Sequence, residues 1–160
     1  MDEDTRAFTN WRNQAVGKIF QKEIEALGAY LPGVLLVPQW PQVQFFKGGN
    51  AKVVGEAWPD YFLFYYNKPY LFDAKATIET KTYRPAKRFK HQFERLVYAA
   101  GQGIYAFYLV NWLTYQSIEV FQVTETDTWP FKAPFGTGAL MTSQEGNWLE
   151  PVITFLNTVY

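Results

Sequence analysis

Apolar residues at Phe8, Trp11, Ala15, Ile19, Phe20, Ile24 and Leu27 recur at three- and four-residue steps. That period predicts an amphipathic helix ending near Gly28. Gly33 to Pro38 is a short apolar run and predicts a strand. Pro38, Pro41 and the Gly48-Gly49-Asn50 turn then break the pattern, which predicts a projecting ribbon over about 38–58. Two strand-like runs, Asp60 to Tyr66 and Pro69 to Ala76, flank Asn67-Lys68, which reads as a two-residue hairpin turn. Pro85 stands where a helix can begin, and Phe89, Phe93, Leu96, Val97 and Ala100 supply its apolar face before Gly101 and Gly103 close it. Ile104 to Asn111 predicts a strand buried on both faces, and Gln116 to Val123 a further strand. Thr124 to Asn147 reads as mostly loop, and Glu150 to Tyr160 as a short terminal helix. The order helix, three strands, helix, strand, with an appended strand and tail, is that of an α/β domain built on one mixed sheet flanked by helices. No internal repeat or second-domain boundary interrupts 1–160.

Composition narrows the chemistry. With no Cys and one His in 160 residues, a disulfide framework, a Cys-based zinc site and a thiol nucleophile are excluded. Any histidine mechanism would rest on His91 alone. The start Met1-Asp2-Glu3-Asp4 is unlike a secretory signal, and the longest apolar run, Ile104 to Val110, is too short to cross a bilayer. A cytoplasmic protein without a membrane partner is expected. The formal net charge is zero, which by itself argues against nucleic acid. The distribution changes that picture. Residues 74–100 carry seven basic residues (Lys75, Lys81, Arg84, Lys87, Arg88, Lys90, Arg95) against Glu79 and Glu94, a net of +5. Residues 1–73 carry a net of −1 and residues 101–160 a net of −4. The positive segment reads either as a solvated helix face or as an anion-binding surface.

The hairpin assembles a second feature. If Asn67-Lys68 is the turn, Phe62 faces Asp73 and Asp60 faces Lys75, so Asp60, Asp73 and Lys75 share one face of the sheet. The two acids are then diagonal neighbours at about 7–8 Å, and a one-residue change of turn is expected to destroy the convergence. Facing carboxylates repel unless a cation lies between them. A hard divalent ion accepts such oxygens and keeps water in its other positions, and a neighbouring ammonium can orient one of those waters toward a phosphate. The plain rival is a surface salt bridge of little energetic consequence.

Pro59-Asp60 followed by Asp73-Ala74-Lys75, inside the element order above, resembles the PD-(D/E)XK nuclease signature. Further residues resemble the RecU-type Holliday junction resolvases of that superfamily: Pro59-Asp60-Tyr61, then Asp73-Ala-Lys75-Ala-Thr77, a basic, proline-containing segment from Lys81 to Pro85, His91-Gln92-Phe93-Glu94, and the apolar strand after Gly101. The likeness runs from about Gly17 to Val123. It implies a restriction-endonuclease-like core and a homodimeric, Mg²⁺-dependent endonuclease, with Mn²⁺ as a substitute ion, that cuts four-way DNA junctions by attack of a metal-activated water. Such a protein would work in a bacterial or phage-infected cell. By the same resemblance Asp60, Asp73 and Ala74 would be metal ligands and Lys75 the water-positioning group, with Thr77 and Gln92 in support. Gln21 stands four residues after Gly17, where the family commonly has an acid, and Glu25 one turn later could partly substitute.

Lys81, Arg84, Lys87, Arg88, Lys90, His91 and Arg95 would meet phosphates. Trp40, Phe45 and Phe46 on the ribbon would stack on bases or line a subunit interface. Gln92 beside the apolar face could equally cap a buried polar group. Two other readings stand beside junction resolution: a different endonuclease of the superfamily, and a catalytically silent DNA-binding module, which Gln21 favours.

Overall fold

The computed structural model describes the backbone of residues 3–39, 43–45, 51–53 and 58–160, and within these the side chains outside 5–14, 43–45 and 51–53. Helix α1 (Glu3–Ala29) leads into β1 (Val34–Pro38), the short strands β2 (Val43–Phe45) and β3 (Ala51–Val53), then β4 (Tyr61–Tyr65), β5 (Lys68–Thr77) and β6 (Thr82–Tyr83). A 3₁₀ turn (Lys87–Phe89) runs into α2 (Lys90–Gly101), followed by β7 (Tyr105–Trp112), β8 (Ser117–Val123), β9 (Ala133–Pro134), β10 (Leu140–Ser143) and α3 (Leu149–Leu156). The main sheet has the order β1-β4-β5-β7-β8-β10. β5 and β7 pair in parallel across the α2 connection, and every other neighbouring pair is antiparallel. The architecture is an α/β fold with a mixed central sheet flanked by helices.

Strand alternation divides the core in two. Tyr61, Leu63, Tyr70, Phe72, Ala74, Phe107 and Leu109 pack under α1 and α3 with Phe20, Ile24 and Trp148. Leu71, Ala106, Tyr108, Val110 and Trp112 face the other way, against Phe93, Leu96 and Ala99 of α2. β7 is buried from Ala106 to Trp112, as its unbroken apolar sequence predicts for a strand covered on both faces. Ile19, expected on the buried stripe of α1, is instead 64% exposed.

Three expectations are corrected. The hairpin turn is Tyr66-Asn67, both with positive φ (45° and 68°), so Tyr61 pairs with Phe72 and Tyr65 with Lys68. Left-handed backbone at both central positions is the geometry that matches strand twist in a two-residue turn. The Tyr66 ring lies so close over Gly33 that a Cβ there would come within 2.5 Å of it, at a φ of +76°. Sliding the turn by one position shifts each pair by two residues, which keeps every side chain on its face; the convergence survives and becomes closer. Second, 124–147 is more than loop: β10 forms the sixth strand of the sheet, and β9 pairs with β6. Third, the final helix is core rather than tail. Leu149, Val152, Ile153 and Leu156 join the α1 cluster, the Tyr70 hydroxyl donates to the Leu156 carbonyl at 2.8 Å, and the Trp148 indole N–H donates to Glu23. Of the ribbon, β2 and β3 pair with each other; Trp40 and Phe46 lie outside the described residues, as does the Phe45 side chain.

A carboxylate–lysine site at the start of β4 and the middle of β5

Asp60 immediately precedes β4 and Asp73 lies mid-β5. Continuing the observed register sets them opposite each other rather than diagonally. They are laced through backbone as well as side chains. The Asp60 N–H donates to Asp73 Oδ1 at 3.2 Å, and the Ala74 N–H donates to Asp60 Oδ2 at 2.9 Å. Asp73 is completely buried. Its Oδ2 lies 2.9 Å from Lys75 Nζ, yet that approach falls outside hydrogen-bonding geometry and leaves Oδ2 without a hydrogen bond. A buried carboxylate oxygen held so is costly in an apolar core and is suited to a cation.

Lys75 is held from three sides. Besides Asp73, its ammonium donates to Gln92 Oε1 at 3.4 Å and sits over the Phe89 ring, 3.7 Å from the centroid. Gln92, buried on α2, donates through Nε2 to the Trp58 carbonyl at 3.2 Å. Because an ammonium only donates and a carbonyl only accepts, the amide can face one way alone. Gln92 therefore ties the residue before Pro59-Asp60 to the lysine of β5. The structure places Gln92 against Lys75, and Phe89, read from the sequence as helix core, is the floor under the lysine. A half-buried aromatic three residues before a glutamine carries no signal that sequence reasoning could have used.

The remaining residues separate into groups. The Thr77 hydroxyl accepts from the Glu79 N–H at 3.0 Å, closing the end of β5. Gln21 and Glu25 belong to α1, which covers the opposite face of the sheet, where the Gln21 backbone carbonyl accepts from the Tyr61 hydroxyl at 3.4 Å. Lys81, Arg84, Lys87 and Arg88 are exposed along the approach to α2. Lys90 and His91 are exposed too but lie 3.8 and 3.5 Å from Glu94 carboxylate oxygens. Arg95 is partly buried, with its guanidinium 3.8 Å from the Trp58 ring centroid, so its first role is packing. Among the described residues, no group of three or more His, Asp or Glu side chains could hold a metal ion, and no helix is long and apolar enough to cross a membrane.

The electrostatics of the pair give a pH prediction. Burial, and after it the Asp73 carboxylate, push Asp60 up to about 8, against the partial relief given by Lys75. The folded protein therefore keeps a proton on Asp60 that the unfolded chain has lost at its ordinary carboxylate pKa. Stability without divalent cations should fall as pH rises from about 4 toward 8, by up to roughly 1 kcal/mol per pH unit from this group. Above that range the loss is complete. A cation held between the two carboxylates would favour the ionised pair, so Mg²⁺ bound there would raise the Tm more at pH 8 than at pH 5. Thermal unfolding with and without Mg²⁺ across this range checks it; a Mg²⁺ shift independent of pH, or the same shift in Asp60→Asn, would refute the paired-carboxylate account.

The fold and site thus define an α/β protein with two apposed carboxylates, one just before β4 and one on β5, and a lysine two residues further along β5. Neither protein-family models nor curated proteins match the sequence. Among solved structures it is similar to Hjc from Archaeoglobus fulgidus, a Holliday junction resolvase from an archaeal hyperthermophile, at 16% identity over 79% of this chain and 91% of that one, with a TM-score of 0.48. A likeness at that level carries no argument about function, which rests on the site.

Proposed function

We propose that this chain is a Mg²⁺-dependent DNA endonuclease of the PD-(D/E)XK type, with a restriction-endonuclease-like core, that resolves four-way junctions as a homodimer. The observation that carries the reading is the half-buried Asp60 apposed to the fully buried Asp73, with Lys75 fixed beside them by Gln92. Two carboxylates supplemented by backbone and water oxygens are a donor set that suits Mg²⁺; Asp60, Asp73 and the Ala74 carbonyl would hold it. When bound, such an ion lowers the pKa of a coordinated water and screens phosphate charge.

The chain's own residues do the rest. Lys75 donates toward the attacking water and the phosphate oxygens, and Gln92 keeps the ammonium from turning wholly to Asp73. Lys81, Arg84, Lys87 and Arg88 hold the DNA backbone, with Lys90 and His91 tempered by Glu94, so binding weakens steeply with salt. Two opposed strands of a junction require two such sites about a two-fold axis, hence the homodimer. Trp40, Phe45 and Phe46 remain proposed base-stacking residues of the ribbon.

The test is incubation of an end-labelled four-way junction and the matching linear duplex with protein and Mg²⁺. Paired, symmetrical nicks confined to the junction are expected. Equal cutting of both substrates would reduce the reading to an unselective endonuclease. Tight junction binding without any cutting would favour the silent DNA-binding module, in which the Lys75–Asp73 contact is simply structural.

A further inference from the structure

On the same face of the sheet as Asp73 and Lys75, a cavity of about 280 Å³ opens between α2 and the strands. Its floor is Phe62 and Leu71, its walls include Trp58 and Tyr98, and Arg95 and Gln102 stand within it. Leu71 precedes Asp73 by two residues on one strand face, a rise of about 7 Å, and Trp58 precedes Asp60 by two residues in the segment that leads into β4. The Gln92–Trp58 hydrogen bond links the cavity wall to the lysine of the site. Two rings at its mouth are left open in the fold, Tyr98 at 71% and Trp58 at 43% exposure.

We propose that this cavity receives one unstacked nucleobase of the DNA whose phosphate lies at Asp60, Asp73 and Lys75. The proposal rests on the nuclease reading above and adds to it a base-binding subsite. The volume lies at the small end of ligand sites, which fits a single flat ring system rather than a peptide segment. The lining fits a base in kind. Aromatic faces stack on any base, the Arg95 guanidinium already stacked on Trp58 brings positive charge beside them, and the Gln102 amide offers both a donor and an acceptor to a base edge. The cavity also adjoins the positive segment through the first turn of α2, so the backbone of the same nucleotide would run toward Lys87 and Arg88. Extruding a base costs least where pairing is already interrupted, which gives the subsite a means of favouring branch points over continuous duplex.

The test uses a single-stranded hexanucleotide carrying one central 2-aminopurine, titrated with the full chain at low salt without divalent metal. Stacking on Tyr98 or Trp58 should quench the probe. Tyr98→Ala should weaken the quenching titration by about tenfold, and Tyr98→Phe should restore it, since the ring and not the hydroxyl is required. Tyr98 is exposed, so neither variant threatens the core. Unchanged quenching in Tyr98→Ala would overturn the proposal, as would a shift of the monomer–dimer equilibrium in that variant with quenching intact, which would make Tyr98 a subunit contact. Junction cleavage measured in parallel separates the two readings. Cleavage without quenching removes the subsite alone, and Tyr98-dependent quenching without cleavage retains the subsite and removes the nuclease.

Discussion

Lys75→Ala should lower junction cleavage by roughly 10²–10⁴-fold, the usual range for losing a group that positions and moves a proton. The same change should destabilise the fold at neutral pH. Lys75 Nζ is the cation 2.9 Å from the fully buried Asp73, and removing one partner of a buried ion pair typically costs about 3–5 kcal/mol. Asp60 also loses the lysine charge that partly relieves it, so its carboxyl should hold its proton to still higher pH. Cleavage must therefore be measured well below the variant's Tm. Lys75→Arg separates the effects: it returns a positive charge but replaces a point-like ammonium with a planar fork. It should regain most of the Tm and less than a tenth of the activity. A Lys75→Ala protein that stays folded and cleaves within tenfold of wild type would show that the lysine serves Asp73 alone.

Glu119→Ala should cost about as much stability as Lys75→Ala while leaving the site's residues in place. Glu119 is 1% exposed on β8, and its carboxyl group receives the Trp112 indole N–H at 3.0 Å, the Gly136 N–H at 3.1 Å and the Gly138 N–H at 2.6 Å. It thereby fastens the segment between β9 and β10 to the sheet. Alanine leaves three donors without their acceptor and a void beside Trp112, at about 1–3 kcal/mol for each orphaned group. A total of about 4 kcal/mol corresponds to a Tm drop on the order of 10 °C for a chain of this size. Glu119→Gln should recover part of it, because one amide oxygen still accepts. Gly138 shows how closely this loop is seated: a Cβ there would lie 2.5 Å from the Val120 carbonyl oxygen. A Tm within 3 °C of wild type for Glu119→Ala would mean that water replaces the carboxyl and that the loop is not anchored there.

Glu119 also shows where sequence reading stops. Alternation in Gln116 to Val123 predicts the strand, but the loop that needs this acid returns from fifteen to twenty residues downstream, and no local spacing announces it. The same holds for β10. Leu140 to Ser143 is too short and too mixed to read as a strand, and becomes one because β8 offers an unpaired edge. The turn between β4 and β5 fails differently. Asn67-Lys68 has the usual composition of a turn, whereas Tyr66 at a positive φ is a poor local choice that its contact with Gly33 sustains. For the site, Asp60, Asp73 and Lys75 were legible because two strands joined by a short turn must bring i and j partners together. Gln92 was legible as a neighbour of the apolar helix face. The Phe89 floor, the Trp58 carbonyl and the diversion of Arg95 into packing were not.

By itself the chain's pattern determined the helices, the central strands, the face that gathers two acids and a lysine, and the positive segment hidden under a zero net charge. Those are properties of periodicity and short-range connection, and they survive a slip of the hairpin by one turn position because strand faces repeat every two residues. Tertiary structure alone decided that Asp60 stands opposite Asp73, that Asp73 is sealed from water beside Lys75, that Gln21 and Glu25 belong to the far face, and that a cavity opens next to the site. The first follows from the turn at Tyr66-Asn67, held by its contact with Gly33; the others depend on which element packs on which side of the sheet, and that is settled by burial of distant side chains against one another.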